Sequence, residues 1–283
     1  MLPLAPTLVA MRYTGRHIRI SGVRAMMPRF LIDILKYLMV VGSLAWLILR
    51  GAETLGYNWQ WYRVPAYIFS VSDGHLLAGP LLEGLKITLQ ISGISLVLAF
   101  AFGLITALFR LSHSFIARGL ARGYLELMRN TPLLVQLFLI YFVLAPVLDI
   151  SAFTSAVLAL SLFEGAYASE IFRAGILSIP KEQWEASYSI GLSSWKTYRL
   201  VVLPQAIRKI LPPLTSQAVS LIKDSALVST IAIYDLTMQG QIIISQTFLV
   251  FELWFTIAVI YLAVTMTLSL AVYYLEHRFK LIG

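Results

Sequence analysis

An all-α integral membrane protein of about six spanning helices is the fold class that this sequence predicts, on three observations. Hydrophobic residues fill 59% of the 283 positions and charged residues only 13%, against roughly 45–50% and about 25% in soluble domains. The apolar residues gather into six stretches, each close to the roughly 20 residues that a bilayer core requires. Lysine and arginine fall almost wholly into alternate connections between those stretches, which is the pattern that sets orientation in a membrane.

The stretches run from Phe30 to Leu49, Leu85 to Phe109, Leu133 to Val147, Phe153 to Phe172, Leu214 to Tyr234 and Leu253 to Tyr274. Asp33 and Lys36 place the start of the first near an interface, and Lys86 is expected to snorkel from the second. The third is short and can extend backward through Met128 toward Tyr124. Basic residues cluster before the first stretch (Arg12, Arg16, Arg19, Arg24, Arg29), between the second and third (Arg110, Arg118, Arg122, Arg129) and between the fourth and fifth (Arg173, Lys181, Lys196, Arg199, Arg208, Lys209). Arg278 and Lys280 follow the last, while the alternate connections hold only Arg50 and Arg63. Both termini are therefore expected in the cytoplasm. Four regions follow: a basic leader at 1–28, an added helix at 29–50, an outer loop at 51–80 rich in aromatics, and a helical body at 81–278.

The same distribution accounts for the +8 formal charge without nucleic acid. The N-terminus has too long a charged region, and no small-residue cleavage site, for a signal peptide. No cysteine is present, which excludes disulfides and thiolate metal sites. His17, His75, His113 and His277 lie in four separate segments without ligand spacing.

The connection at 179–204 is unusually organised. Pro180 suits a first helical position, Trp184 and Tyr188 share a face at i,i+4, and Gly191 suits a left-handed helix end. Ser194 is placed to cap a second short helix that stops before Pro204. By physics alone, this hairpin is either an interfacial anchor or a docking element.

Its residues favour docking. Glu185-Ala186-Ser187, then Gly191, then Leu203-Pro204 resembles the EAA loop of binding-protein-dependent ABC importer permeases, with Ser187 in place of the second alanine. Arg129 to Gln136, Ala166 to Arg173, Leu203 to Ala206 and Leu221 to Ser225 resemble the polar amino acid branch of that family, with Asn130 at a position that is usually glycine. The resemblance covers residues 81–278 and implies that 179–204 is a coupling helix for a separate ATPase. It also implies a second permease subunit (identical or homologous), an extracytoplasmic solute-binding protein, an amino-acid substrate of acidic or amide type, and a bacterial inner-membrane location. The chain contains no phosphate-binding loop of the Gly-x-x-x-x-Gly-Lys-Ser/Thr kind. No cofactor is therefore expected on this chain, and ATP and Mg2+ are expected on the ATPase.

Ionisable residues at depth mark candidate substrate positions. From the 1.5 Å rise per residue, Glu164 lies about 17 Å into the fourth stretch, and Lys223 and Asp224 about 15 Å into the fifth. They, with Ser225 and Gln136, either line a pathway for a zwitterion or pair among themselves and fix helix packing. Glu170 and Arg173, at i,i+3, are expected to form a structural ion pair. A secondary transporter or channel that needs no ATPase is the alternative function. It leaves the 179–204 hairpin without a role.

Overall fold

The computed structural model describes residues 22–54, 56–72 and 75–280. The leader as far as position 21, with Arg12, Arg16, His17 and Arg19, lies outside the described residues. The chain divides into two units, one up to Trp59 and one from Gln60 onward. Among its described residues the first contains one helix, α1 (Gly22–Thr54). It runs continuously through the expected 30–49 segment and has an exposed Asp33–Lys36 ion pair at 3.6 Å.

The second unit opens on a 3-10 turn (Trp61–Arg63), the one-turn helix α2 (Pro65–Ile68), and the antiparallel strands β1 (Phe69–Ser72) and β2 (His75–Ala78), with Phe69 opposite Ala78. This loop is fastened rather than merely interfacial. The Gln60 backbone N–H donates to the Glu252 carboxylate at 2.7 Å, and Glu252 is fully buried.

Helices α3 (Pro80–Leu111) and α7 (Ala152–Leu177) make the central pair. Small residues recur every four positions on both: Ser95, Ala99, Gly103 and Ala107 on α3, and Ser161, Gly165 and Ser169 on α7, all of them buried. Such stripes let backbones approach where lipid supplies no hydrophobic drive between helices. The approach is close enough that a Cβ on Gly103 would meet the Ala168 Cβ at 2.8 Å.

Between them, α4 (Phe115–Asn130), α5 (Leu133–Phe138), a π-helical stretch (Leu139–Leu144) and α6 (Ala145–Leu148) form a bent unit. The third segment does not extend straight back toward Tyr124, because the two halves meet at 108°. Pro132 pushes Thr131 out of the helical region, and Thr131 is extended at φ −118° and ψ 141°.

After α7 come α8 (Lys181–Ser189), α9 (Ser194–Thr197), a π-helical stretch (Tyr198–Val202) and α10 (Leu203–Asp224). The second hairpin helix does not stop before Pro204, and the fifth segment does not begin at Leu214. The backbone widens into the π-helical register ahead of Pro204, where a proline without an N–H is tolerated, and continues through Pro212 and Pro213. The carbonyls those prolines leave free belong to Arg208 and Lys209, which are exposed at the start of the helix. A 3-10 segment (Ser225–Ile231), α11 (Leu236–Thr247) and α12 (Val250–Lys280) complete the unit. Among the described residues, three helices are long and apolar enough to cross a membrane, or five when each bent pair counts as one span.

Candidate translocation and coupling sites

The exposed end of the bundle carries the hairpin. Pro180 is the N-cap of α8, with extended ψ, and Lys181 is the first helical residue. Glu182 therefore occupies the first turn. Glu185, the fifth residue, lies beyond the reach of the unpaired N–H groups that make a helix start favourable for anions. At the other end, Gly191 has φ +81°. The Leu192 N–H donates to the Ser187 carbonyl at 3.1 Å and the Gly191 N–H to Tyr188 at 2.9 Å. This paired closure is a Schellman turn, which needs a left-handed residue at Gly191. A Cβ there would meet nothing within 4 Å, so the requirement is conformational, not steric.

Ser193, not Ser194, precedes α9 as its N-cap, and its side chain makes no capping bond. Trp184 packs edge-on against Tyr198 at 4.8 Å rather than with Tyr188. It also rests on the cluster of Ile179, Val202, Ala206 and Ile210. Ser187 is buried, donating to the Gln183 carbonyl at 2.6 Å. Glu185, Ala186, Gly191, Leu203 and Pro204 are exposed. Around them stand the exposed apolar side chains Ile190, Trp195 and Leu200, at 77%, 73% and 61%. The Lys209 ammonium donates to the Ser178 carbonyl at 2.9 Å and ties α10 to the end of α7.

Deeper, Glu164 of α7 is 1% exposed. Gln217 of α10 donates to one of its oxygens. The other oxygen has no hydrogen-bond donor among the described residues, and the Asp224 carboxyl lies beside Glu164. Gln217 and Asp224 are seven residues apart, two helical turns, and so share one face of α10. Ser225, fully buried, donates to the Ile222 carbonyl at 2.8 Å where α10 tightens into 3-10 geometry.

Lys223 does not join this group. It forms no ion pair with Glu164 or Asp224 among the described residues. One residue from Asp224, it points about 100° away around the axis. There it lines a cavity of about 370 Å3 with Thr215, Ser216, Ser220, Ser269 and Tyr273, between α10 and α12. Gln136 is also elsewhere. Its amide donates to the carbonyls of Met128 and Thr131 and to the Thr131 hydroxyl at 2.7–3.1 Å, bracing the bend before α5. The Asn130 amide is taken up within α4, donating to Glu126 at 2.7 Å.

Glu170 does pair with Arg173, at 3.1 Å, and the same carboxylate also binds Arg129 at 3.2 Å and Arg110. Two features escaped the sequence reading, the Gln217 partner and this three-arginine network. Gln217 was signalled by its i,i+7 spacing to Asp224. The arginines were hidden because α3, α4 and α7 meet only in three dimensions.

A buried polar cluster between apolar helices, joined through α10 to an exposed hairpin, defines the class: a membrane-embedded transport subunit. Residues 99–281 match the family described as binding-protein-dependent transport system inner membrane component, and the chain belongs to that family. The glutamine transport system permease protein GlnP of Escherichia coli is 42% identical over 71% of this chain and 94% of its own length. The L-cystine transport system permease protein TcyB of Bacillus subtilis is 41% identical over 80% of this chain and 94% of its own length. The crystal structure of an amino acid ABC transporter aligns with a TM-score of 0.67 and 39% identity over 70% of this chain and 94% of that one. The MetNI methionine ABC transporter, at 18% identity and a TM-score of 0.59, shares the fold.

Proposed function

We propose that this chain is the permease subunit of an ATP-binding-cassette importer that moves a polar amino acid across the bacterial inner membrane. In this reading it crosses the bilayer six times, with α1 first and both termini in the cytoplasm. Residues 179–204 receive the ATPase, which alone uses ATP and Mg2+. A second permease subunit completes the pathway, and an extracytoplasmic binding protein delivers the solute. Support for the substrate class comes from the amino-acid permeases to which the chain is similar.

The observation that carries the proposal is the continuity between the hairpin and the buried cluster. Trp184 and Val202 bind the hairpin into the base of α10, and α10 carries Gln217 and Asp224 to Glu164. A push on the exposed hairpin therefore moves the residues facing Glu164. The unpartnered Glu164 oxygen and Asp224 suit the amino group of a zwitterion. Lys223, in its hydroxyl-lined cavity, suits the carboxylate, so rotation of α10 would change which group faces the pathway.

Reconstitution in liposomes with the ATPase and binding protein tests the proposal. Uptake of a polar amino acid should require ATP and all three components. Uptake that persists without the ATPase contradicts the importer reading and supports a secondary transporter or channel.

A further inference from the structure

The basic residues between α3 and α4 orient the chain, but orientation requires only that they lie on one side. Here they also converge. Arg110, Arg118, Arg122 and Arg173 line one cavity of about 230 Å3, closed by Leu111 and Leu177. Arg110 and Arg173 already share the Glu170 carboxylate, together with Arg129. Arg118 and Arg122 make no ion pair among the described residues. They stand at i,i+4, where like charges repel, and Glu126, one turn beyond Arg122, is engaged by Asn130. Four guanidiniums thus face a cavity with a single carboxylate beside them.

The cavity also has an apolar part: Leu111 and Leu177 line it, Leu177 is 58% exposed, and Phe115, one turn before Arg118 on the same face of α4, is 84% exposed. Guanidiniums beside exposed apolar side chains match an amphiphile rather than a free ion. Guanidinium forks hold phosphate oxygens in bidentate geometry, and basic pockets between helices on the cytoplasmic side take lipid headgroups.

We infer that this cavity binds the phosphate headgroup of an anionic phospholipid from the cytoplasmic leaflet, with its acyl chains along Leu111, Leu177 and Phe115. The bound phosphate relieves the Arg118–Arg122 repulsion and fastens the start of α4 to the ends of α3 and α7. The site rests on the orientation proposed above. It is tested on the purified full-length chain without transport, so failure of the uptake assay and failure of this one are separate results.

The chain in micelles is titrated with phosphatidylglycerol, phosphatidylcholine or inorganic phosphate, and bound molecules are counted by native mass spectrometry. The parent is expected to retain phosphatidylglycerol at least tenfold more tightly than phosphatidylcholine. Arg118→Gln/Arg122→Gln should abolish that preference, and Arg208→Gln, on exposed α10 outside the cavity, should keep it. If the double variant does not fold, Arg122→Gln alone, at an exposed position, should still weaken retention several-fold. Equal retention of both lipids, or unchanged preference in the arginine variants, overturns the inference. So does displacement of the lipid by millimolar phosphate that binds with the same arginine dependence, which would make the ligand a soluble anion.

Discussion

The α3–α7 pair and the α10 segment are built on opposite plans. The pair is regular, with two long helices meeting along small residues and with buried hydroxyls closing on backbone: Ser95 donates to the Val157 carbonyl and Ser161 to Ser95, each at 3.4 Å. The α10 segment departs from regularity at both ends and at two prolines. A π-helical stretch precedes it, Pro212 and Pro213 stand inside it without backbone N–H groups, and a 3-10 stretch with left-handed Ala232 follows it. Irregular helices of this kind yield at defined points, whereas a seam packed to backbone contact has no slack to take up. In the proposed importer, that difference would separate a scaffold from a moving part, with Glu164 on the first and Gln217 and Asp224 on the second.

Substitutions can break that contrast, and their effects on stability should fall in order. Gly103→Leu forces a side chain into Ala168 and the Gly165 carbonyl. It should exceed the roughly 1–3 kcal/mol usual for overpacking and remove folded chain from the membrane, as scored by yield and thermal unfolding. Gly191→Val keeps its open surroundings but must hold φ +81°, at a cost of about 1–2 kcal/mol. Folded chain should persist while ATPase stimulation is lost. A yield as poor as that of Gly103→Leu would place Gly191 in the scaffold instead.

Glu164→Gln should change stability least. The Gln217 amide retains an oxygen to donate to, and an ionisable group leaves a buried position where charge is costly. Transport in proteoliposomes should nevertheless fall at least about tenfold, or ~1.4 kcal/mol in the barrier. Unfolding with transport per folded molecule intact would make the cluster structural.

The parts of this plan that sequence made legible were those with local causes. Apolar stretch length located α1, α3, α7 and α12, and Gly191 announced its turn because a left-handed residue is a property of one position. Glu164 stood out because carboxylates inside apolar runs are rare. What depended on three-dimensional meeting was not legible. Lys223 and Asp224 are neighbours in sequence yet face different helices. Gln136 lies near the start of the third apolar stretch yet serves a bend created by Pro132. Pro204 read as a helix stop because the one-residue widening before it has no composition of its own. Glu252 precedes the last apolar stretch and carries no local sign that its carboxylate accepts from Gln60, 192 positions away.

The proposed importer sets the 179–204 hairpin against the ATPase on the cytoplasmic side. The chain has no cysteine, so a single introduced thiol reports one position. Ile190→Cys and Tyr62→Cys place it at sites 77% and 79% exposed, on the hairpin and the outer loop. In the assembled complex, thiol crosslinking through Ile190→Cys should capture the ATPase, and a membrane-impermeant reagent applied outside intact cells should label only Tyr62→Cys. Outside labelling at Ile190→Cys, or an ATPase captured through Tyr62→Cys and not through the hairpin, would contradict the account.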